Sequence, residues 1–461
     1  MVSGKITIKP ANKRAIIFYL IFALLFYGAG IACLIILWSL TIPNSLQTFG
    51  EALAGWTYAS YWWVILVAFV GLIVLGLFFG WVLLKLVARF GHILVYAGVV
   101  FYIVGAVIGA ILGLVFGGPG GIYALTGLAP AVFLIIGLFV NKKKFQRAGE
   151  FMKFTGKVVL AEKGMVLAPL FVTFMSLLSI ITMGAIFAVF VSWFYVLGID
   201  WLGYVFGSIV SLIQLIVYYG VFYAAEAINT TYAYEWYRKR DPDMKFCRKN
   251  VAGNFGAIFT FGIVTALVNW VQRLLRNAAA NASTKGAVIL AVFVRMASAL
   301  LGFVYKYLTY FTLPAITVEG TKFKEGVSRS FSLLKRYYMD VLIRETGVQG
   351  AMGIIQWISI FIYGIIGVII GLVLKLTGVS ATWSFAMLIA VLPALIFASI
   401  PTFFIFRPMK TAYLTFVFAY AQDEESGFKL PTRMPAELRG DMKEARSEMD
   451  TSKSIAAIVD R

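Results

Sequence analysis

One apolar stretch of membrane-spanning length, residues 204–236, carries side chains that could do chemistry. It contains Glu226, the only acidic residue within the predicted membrane spans of the chain, which here end at residue 234. Residues three, four and seven positions apart share a face of a helix. On that basis one face carries Tyr219, Phe222, Tyr223, Glu226, Asn229 and Thr230. Placing a carboxylate at membrane depth costs about 2.5–3.5 kcal/mol on insertion scales. Such a residue is therefore expected to have a charge partner or a functional role.

Three roles are open to Glu226. In a cation site the carboxylate supplies the counter-charge and the aromatic rings offer their faces, at up to about 2 kcal/mol for each desolvated contact. In a proton relay the same carboxylate binds and releases a proton. In a structural role it pairs with Arg295 or Lys306, the other two ionisable residues within predicted spans, or reaches toward the interface. Arg295 and Lys306 could also contact headgroups or line an anion-permeable cavity.

The composition excludes an ordinary soluble domain. Of 461 residues, 61% are hydrophobic and 13% charged, and the mean hydropathy is +0.89. Apolar runs long enough for a spanning helix of about 20 residues recur along the chain. These runs are continuous and do not alternate with period two, which favours helices over a barrel. The fold class predicted is an all-α integral membrane protein, a polytopic helical bundle.

The apolar runs and the positive charges together predict a topology. About ten spans are expected, at 15–40, 61–84, 93–116, 122–140, 165–197, 204–234, 251–271, 287–313, 347–374 and 383–406. The first is too long for a signal peptide and is expected to be retained. Most of the 40 lysines and arginines fall in alternate connecting segments. The positive-inside rule then puts both termini in the cytoplasm of a multi-pass cell-membrane protein.

The net charge of +19 indicates a membrane-surface partner rather than nucleic acid. The basic residues flank the spans, where each gains roughly 1 kcal/mol from anionic lipid headgroups at the cytoplasmic face. His92 is the sole histidine, and Cys33 and Cys247 lie far apart in sequence. We therefore expect no metal site and no cofactor. Sequence motifs of membrane hydrolases, P-loops and zinc proteases are missing, so we do not expect an enzyme.

The chain divides into three predicted parts. Residues 1–147 form a four-helix membrane module, and residues 148–420 form a six-helix domain with amphipathic surface helices near 148–163 and 323–339. The semi-apolar stretch 409–420 is too short to span and is followed by a charged cytosolic tail, 421–461. In the third span a ridge of small residues would allow close helix packing, within the chain or in a homo-oligomer. Its members are Gly105, Gly109, Gly113 and Gly117.

Three segments, 151–179, 252–277 and 311–340, carry a resemblance to a known family. In order, they resemble the landmarks of an uncharacterised prokaryotic membrane family of about six helices, over residues 148–420. The matching signature positions are Pro314, Glu319, Gly320, Arg329, Ser330 and Leu334. This resemblance implies a helical membrane domain and no particular activity. A fainter resemblance to choline transporter-like proteins implies movement of organic cations.

Two functional hypotheses follow. The first is membrane transport or channel-like conduction of a small solute, a cation in one version, centred on the sixth and eighth spans with Glu226 as its charged site. The second is a non-transporting scaffold, assembly factor or lipid-organising protein. The two differ in whether Glu226 faces a hydrated cavity or dry packing.

Overall fold

A computed structural model of the chain describes residues 6–41, parts of 71–111, and residues 142–284, 287–376, 406–427 and 431–433. The principal helices are α1 (Lys13–Thr41), α2 (Lys142–Ala161), α3 (Gly164–Val196), α4 (Asp200–Tyr237), α5 (Met244–Thr284), α6 (Val288–Leu308), α7 (Phe323–Leu376) and α8 (Arg407–Glu425). Residues 78–91 are also helical. The described part of the chain is 89% helix and has no strand, which confirms the all-α prediction.

Five helices in the described ranges are long and apolar enough to cross a membrane. They are Lys13–Ile36, Gly164–Phe190, Trp201–Tyr237, Met244–Ala282 and Ile289–Glu319, at five of the ten predicted spans. Large apolar side chains on their outer faces are exposed, including Leu24, Phe171 and Phe293. Such faces suit contact with lipid tails and not with water. The molecule is therefore built as a membrane protein.

The count of ten spans stays a prediction. Predicted span 122–140 and nearly all of 383–406 lie outside the described residues. The same is true of the glycine ridge, Gly105, Gly109, Gly113 and Gly117, whose predicted packing role is therefore untested.

Helix α4 lies between α3 and α5 and also contacts α1 and α8. A small residue brings α4 and α5 close together, because a Cβ at Gly262 would lie 3.1 Å from the carbonyl oxygen of Tyr219. The Tyr19 hydroxyl donates to the carbonyl of Val217 at 3.0 Å and fastens α1 to the same helix. Close backbone approach at small residues is how helices pack in an apolar solvent. The predicted sixth span is thus the central helix of the described bundle.

Helix α2 covers the predicted surface helix 148–163 and is packed on its inner side. Met152 and Val158 are buried with Val87 of the 78–91 helix. Lys157 is exposed. The alternating apolar and basic pattern thus produces a helix with one side in the protein core and basic residues on the other.

The predicted surface helix 323–339 and the predicted span 347–374 are not separate. Both belong to α7, a single helix of 54 residues. The connecting residues 340–346 contain no proline, so no residue there removes a backbone donor or blocks the helical path.

A π-helical turn, Ala315–Glu319, separates α6 from α7 and follows a short helical turn at Thr312–Pro314. Its end is marked by Gly320, whose φ of 66° is left-handed and is costly for residues with a Cβ. The Asn250 side chain of α5 donates to the carbonyl of Thr317 at 3.0 Å and to the Thr231 hydroxyl of α4 at 3.0 Å. One buried amide thereby ties the turn to both central helices.

Helix α8 departs most from expectation. It lies where the sequence predicted a semi-apolar cytosolic segment followed by a charged tail. Met409, Phe416 and Ala419 are buried in the largest core cluster, and the polar residues Gln422 and Asp423 are 1% exposed. The reason is that α8 packs along the second half of α4, which gives its short apolar stretch a protein surface to bury against.

Candidate functional site

Glu226 lies where α8 packs against α4. Its side chain is 8% exposed and accepts a hydrogen bond from the Thr411 hydroxyl. The positive charges of Arg407 and Lys410, on the first turn of α8, act on the carboxylate. The hydroxyl donor and the two cationic neighbours offset part of the cost of burying this carboxylate.

The predicted charge partners of Glu226 were Arg295 and Lys306, and the structure puts both elsewhere. They lie on α6, which packs against α5 and α7. Arg295 is half-buried and Lys306 is exposed in the last turn of that helix. The cations that act on Glu226 come from α8 instead. A structural role for Glu226 stays a prediction, with residues of α8 rather than Arg295 and Lys306 as its cationic neighbours.

The three predicted aromatic residues form one cluster. The ring centroids of Tyr219 and Tyr223 are 5.9 Å apart, and those of Phe222 and Tyr223 are 5.0 Å apart. Arg407 lies over the Phe222 ring at 4.8 Å from its centroid. The ring face predicted for a solute cation is thus covered by a cation of the protein itself.

Tyr223 turns to the other side of α4. Its ring packs on Phe261 of α5, 4.2 Å between centroids. The Thr265 hydroxyl lies 3.1 Å from the Tyr223 hydroxyl and 2.5 Å from that of Tyr305 on α6. The predicted single face is therefore divided between a side toward α8, with Phe222 and Glu226, and a side toward α5 and α6, with Tyr223.

Asn229 and Thr230 occupy the next turn of α4. The Thr230 hydroxyl donates to the carbonyl of Glu226 at 2.9 Å and is satisfied within the helix. Asn229 is fully buried, yet neither its amide nitrogen nor its oxygen has a hydrogen-bond partner among the described residues. An unsatisfied buried amide costs about 1–3 kcal/mol. Because Asn229 lies three positions from Glu226 on the same helix, this amide without hydrogen-bond partners lies beside the buried carboxylate.

Two cavities lie between α3, α4 and α5, toward the end of the bundle predicted to be outer. The Tyr218 cavity, about 650 Å³, is lined by Ser176, Ile180, Met183, Gly184, Phe187, Gln214, Leu215, Tyr218, Tyr219 and Arg273. The Trp270 cavity, about 850 Å³, shares three of these, Met183, Phe187 and Arg273, and adds Ser208, Ser211, Trp270 and Asn277 among others. The shared lining makes them neighbours around Arg273.

The Tyr218 cavity is connected to Glu226 by side chains. Arg407 donates to the Tyr218 hydroxyl at 3.3 Å and acts electrostatically on Glu226. Tyr218 and Phe222 stack with centroids 5.8 Å apart. A line of polar and aromatic groups therefore runs from the cavity wall to the buried carboxylate.

A second polar cluster joins α8 to the π-helical turn and α7. Glu319 accepts from Arg329 at 3.2 Å and from Gln422 at 2.9 Å, and Arg329 also pairs with Glu425. Hydrogen bonding to Glu425 and the neighbouring charge of Glu319 raise the pKa of Arg329, so its guanidinium stays charged. Ser330 accepts a hydrogen bond from the Phe311 backbone at 2.8 Å.

These contacts explain the signature positions. Pro314, Glu319 and Gly320 shape the turn, Arg329 and Ser330 fasten α7 to it, and Leu334 is buried in the core. Residues 204–428 match a family of unknown function, DUF6159. This region is similar to that family. The matched region contains nearly all of α4 and the whole of α5 to α8. It therefore includes Glu226, the residues of α8 next to it, and the signature positions from Pro314 to Leu334.

The predicted resemblance to a helical membrane family without established activity is confirmed over the DUF6159 region. No curated protein matches the chain. The fainter resemblance to choline transporter-like proteins finds no support in these comparisons. Within the described ranges, no group of three or more His, Cys, Asp or Glu side chains could hold a metal ion.

The residues that sequence reasoning missed are on α8 and at the cavity. Arg407, Lys410 and Thr411 were assigned to the segment after the last predicted span, and Arg273 to an outer loop. A usable signal existed, because apolar residues at 409, 412, 413, 416, 417, 420 and 421 follow helical spacing. That pattern predicts a helix with a buried face. The pattern does not show which other helix this buried face packs against.

Proposed function

We propose that the chain moves a small solute across the membrane along the face of α4 that joins the Tyr218 cavity to Glu226. One observation carries the proposal. Arg407 donates a hydrogen bond to the Tyr218 hydroxyl at the cavity wall, and its positive charge acts on the buried carboxylate of Glu226. Ionisable groups at membrane depth are costly, and they usually mark a solute or proton path.

The charge arrangement supports an exchange mechanism. Glu226 accepts a hydrogen bond from Thr411 and lies in the positive field of Arg407 and Lys410, so a solute cation that binds the carboxylate would compete with these interactions. Such competition shifts the position of the first turn of α8 relative to α4, because both partners lie on those helices. A ligand can shift a conformational equilibrium only by its difference in affinity for the two states. The unpartnered Asn229 amide gives an additional polar contact one turn away.

The cation version of this proposal requires Arg407 to move. A solute cation would compete with Arg407 both for the Phe222 ring and for the Glu226 carboxylate. A proton requires no such displacement, because it neutralises Glu226 in place.

The proposed setting is the cell membrane, with both termini in the cytoplasm. Basic residues such as Lys157 on the exposed side of α2 would contact anionic headgroups there. A homo-oligomer is part of the same proposal, with the glycine ridge as its contact.

The second candidate function is a scaffold or lipid-organising protein. It is favoured by the surroundings of Glu226, which already has a hydroxyl donor and cationic neighbours within the protein. In a scaffold this pairing would hold α8 against α4 and need not change.

Flux measurements with purified protein in liposomes separate the two candidates. Electrical current, proton uptake and labelled choline uptake are measured for the native protein, for Glu226→Gln, and for the control Glu150→Gln, whose carboxylate lies in an exposed pair on α2. We expect flux in the native and control proteins and at least a tenfold loss in Glu226→Gln. Flux that persists unchanged in Glu226→Gln would reject this site. No flux from the native protein, with a destabilised Glu226→Gln, would support the scaffold.

A further inference from the structure

The Tyr218 cavity has the lining of an anion site. We infer that it binds a small anionic group, a carboxylate or a phosphate, at Arg273, with Arg407 behind the Tyr218 hydroxyl. Anion binding in this cavity does not depend on the proposed function. The further step, that the bound anion is the transported substrate, rests on that function.

Two guanidinium groups approach the cavity from different helices. Arg273 of α5 lines it directly. Arg407 of α8 reaches it through its hydrogen bond to the Tyr218 hydroxyl. The charges of both arginines act on the Tyr219 hydroxyl, which also lines the cavity. The hydroxyls of Tyr218 and Tyr219 therefore lie in the field of two cations.

The charge balance of this region is positive. The described lining residues of the two cavities include no aspartate or glutamate. The charge of Arg407 is offset by Glu226, whereas the hydrogen bond of Arg273 is to the neutral Ser211 hydroxyl, at 3.5 Å. Arg273 is exposed at the outer end of α5, where an anion would give its guanidinium a counter-charge.

The chemistry of the lining suits an oxyanion. Guanidinium groups bind carboxylate and phosphate through parallel, charge-assisted hydrogen bonds. Ser176 and Gln214 provide neutral donors on α3 and α4, while Ile180 and Leu215 supply apolar surface. A cavity of about 650 Å³ has room for more than a single inorganic ion. It would accommodate an anion with a short organic group or the headgroup of an anionic lipid.

The test is direct binding of labelled phosphate and labelled acetate to the purified full chain in a nonionic detergent. Four proteins are compared: the native chain, Arg273→Gln, Arg273→Lys, and the control Arg276→Gln. Arg276 lies on the same exposed stretch of α5 but bonds to the carbonyl of Gln272, at 3.2 Å. Loss of one charge-assisted contact in Arg273→Gln is expected to weaken binding about tenfold. Arg273→Lys should retain part of the affinity, and Arg276→Gln all of it.

The source of the anionic group is decided by competition. Phosphatidylglycerol added to the micelles should displace the label if a lipid headgroup is the natural occupant, while phosphatidylcholine should not. Displacement by neither lipid assigns the site to a free anion. Absence of phosphate, acetate and phosphatidylglycerol binding, or equal binding by native protein and Arg273→Gln, would overturn the inference.

Binding and flux can fail separately. Anion binding that depends on Arg273, without flux in liposomes, would keep the anion site and reject transport. Flux that is indifferent to Arg273→Gln would keep transport and reject the anion as its substrate.

Discussion

At the scale of single residues, the Glu226 carboxylate is the most informative group. Its rarity in an apolar run was enough to single it out from the sequence, because a buried charge needs compensation. The identity of the compensating groups was not predictable in the same way. Thr411 and Arg407 lie more than 180 positions away, and a single sequence does not show which helices touch.

The contact between Thr411 and Glu226 predicts a measurable coupling. Replacing Thr411 by Val keeps the shape of the side chain and removes the hydroxyl that donates to the buried carboxylate. A hydrogen bond to a charged group contributes about 1.5–3 kcal/mol, so the unfolding free energy of Thr411→Val should fall by that amount. In the Glu226→Gln background the loss should be smaller, about 1 kcal/mol. A double-mutant cycle by chemical unfolding in detergent measures both.

Thr415→Val is the matched control for this cycle. The Thr415 hydroxyl is buried on the same helix and donates to the carbonyl of Thr411 at 2.7 Å, within α8. It should show no coupling to Glu226→Gln. Equal coupling of both threonines to Glu226 would contradict the assigned hydrogen bond.

At the scale of elements, α8 supplies the residues that surround Glu226. Sequence reasoning ended the membrane domain at residue 420, where the semi-apolar stretch 409–420 gives way to mixed charge with no run long enough to span. Length criteria identify helices that face lipid, and α8 instead buries its apolar side chains against α4 and α2. Its polar end is buried as well, through Tyr234 to Gln422 at 3.0 Å and Tyr237 to Asp423 at 2.7 Å.

The ion pair of Arg238 and Asp423 should hold α8 in place. Arg238 is 1% exposed and pairs with Asp423 through its guanidinium. Asp423→Asn leaves that buried cation without its counter-charge, which costs about 3–5 kcal/mol. We expect a loss of this size in unfolding free energy and faster hydrogen exchange along α8.

The exposed pair of Lys153 and Glu150 provides the comparison for Asp423→Asn. Its charged atoms are 3.8 Å apart, with side chains 32% and 49% exposed. Exposed pairs contribute at most about 1 kcal/mol, so Glu150→Gln should change stability little. A similar small effect from both substitutions would show that the buried pair does not anchor α8.

At the scale of the whole molecule, hydropathy predicts the class and the spanning helices well. The predicted span 204–234 lies within α4, and the predicted span 165–197 matches α3 except for its last residue. Each is recognisable because a helix that faces lipid must carry a long apolar run. Features set by contacts between distant segments were not predictable, namely the buried α8 and the cavities around Arg273.

Both proposals depend on water reaching the face of α4 at membrane depth. This can be measured by cysteine accessibility, with the buried Cys33 and Cys247 first replaced by Ala. Gln214→Cys lies in the wall of the Tyr218 cavity, and Val217→Cys is 0% exposed on the same helix. A membrane-impermeant maleimide is applied on either side of liposomes that hold each protein. Labelling at position 214 and not at 217 is the expected result for a hydrated solute path. Labelling at neither position before denaturation, and at both after it, would show dry packing and contradict that path.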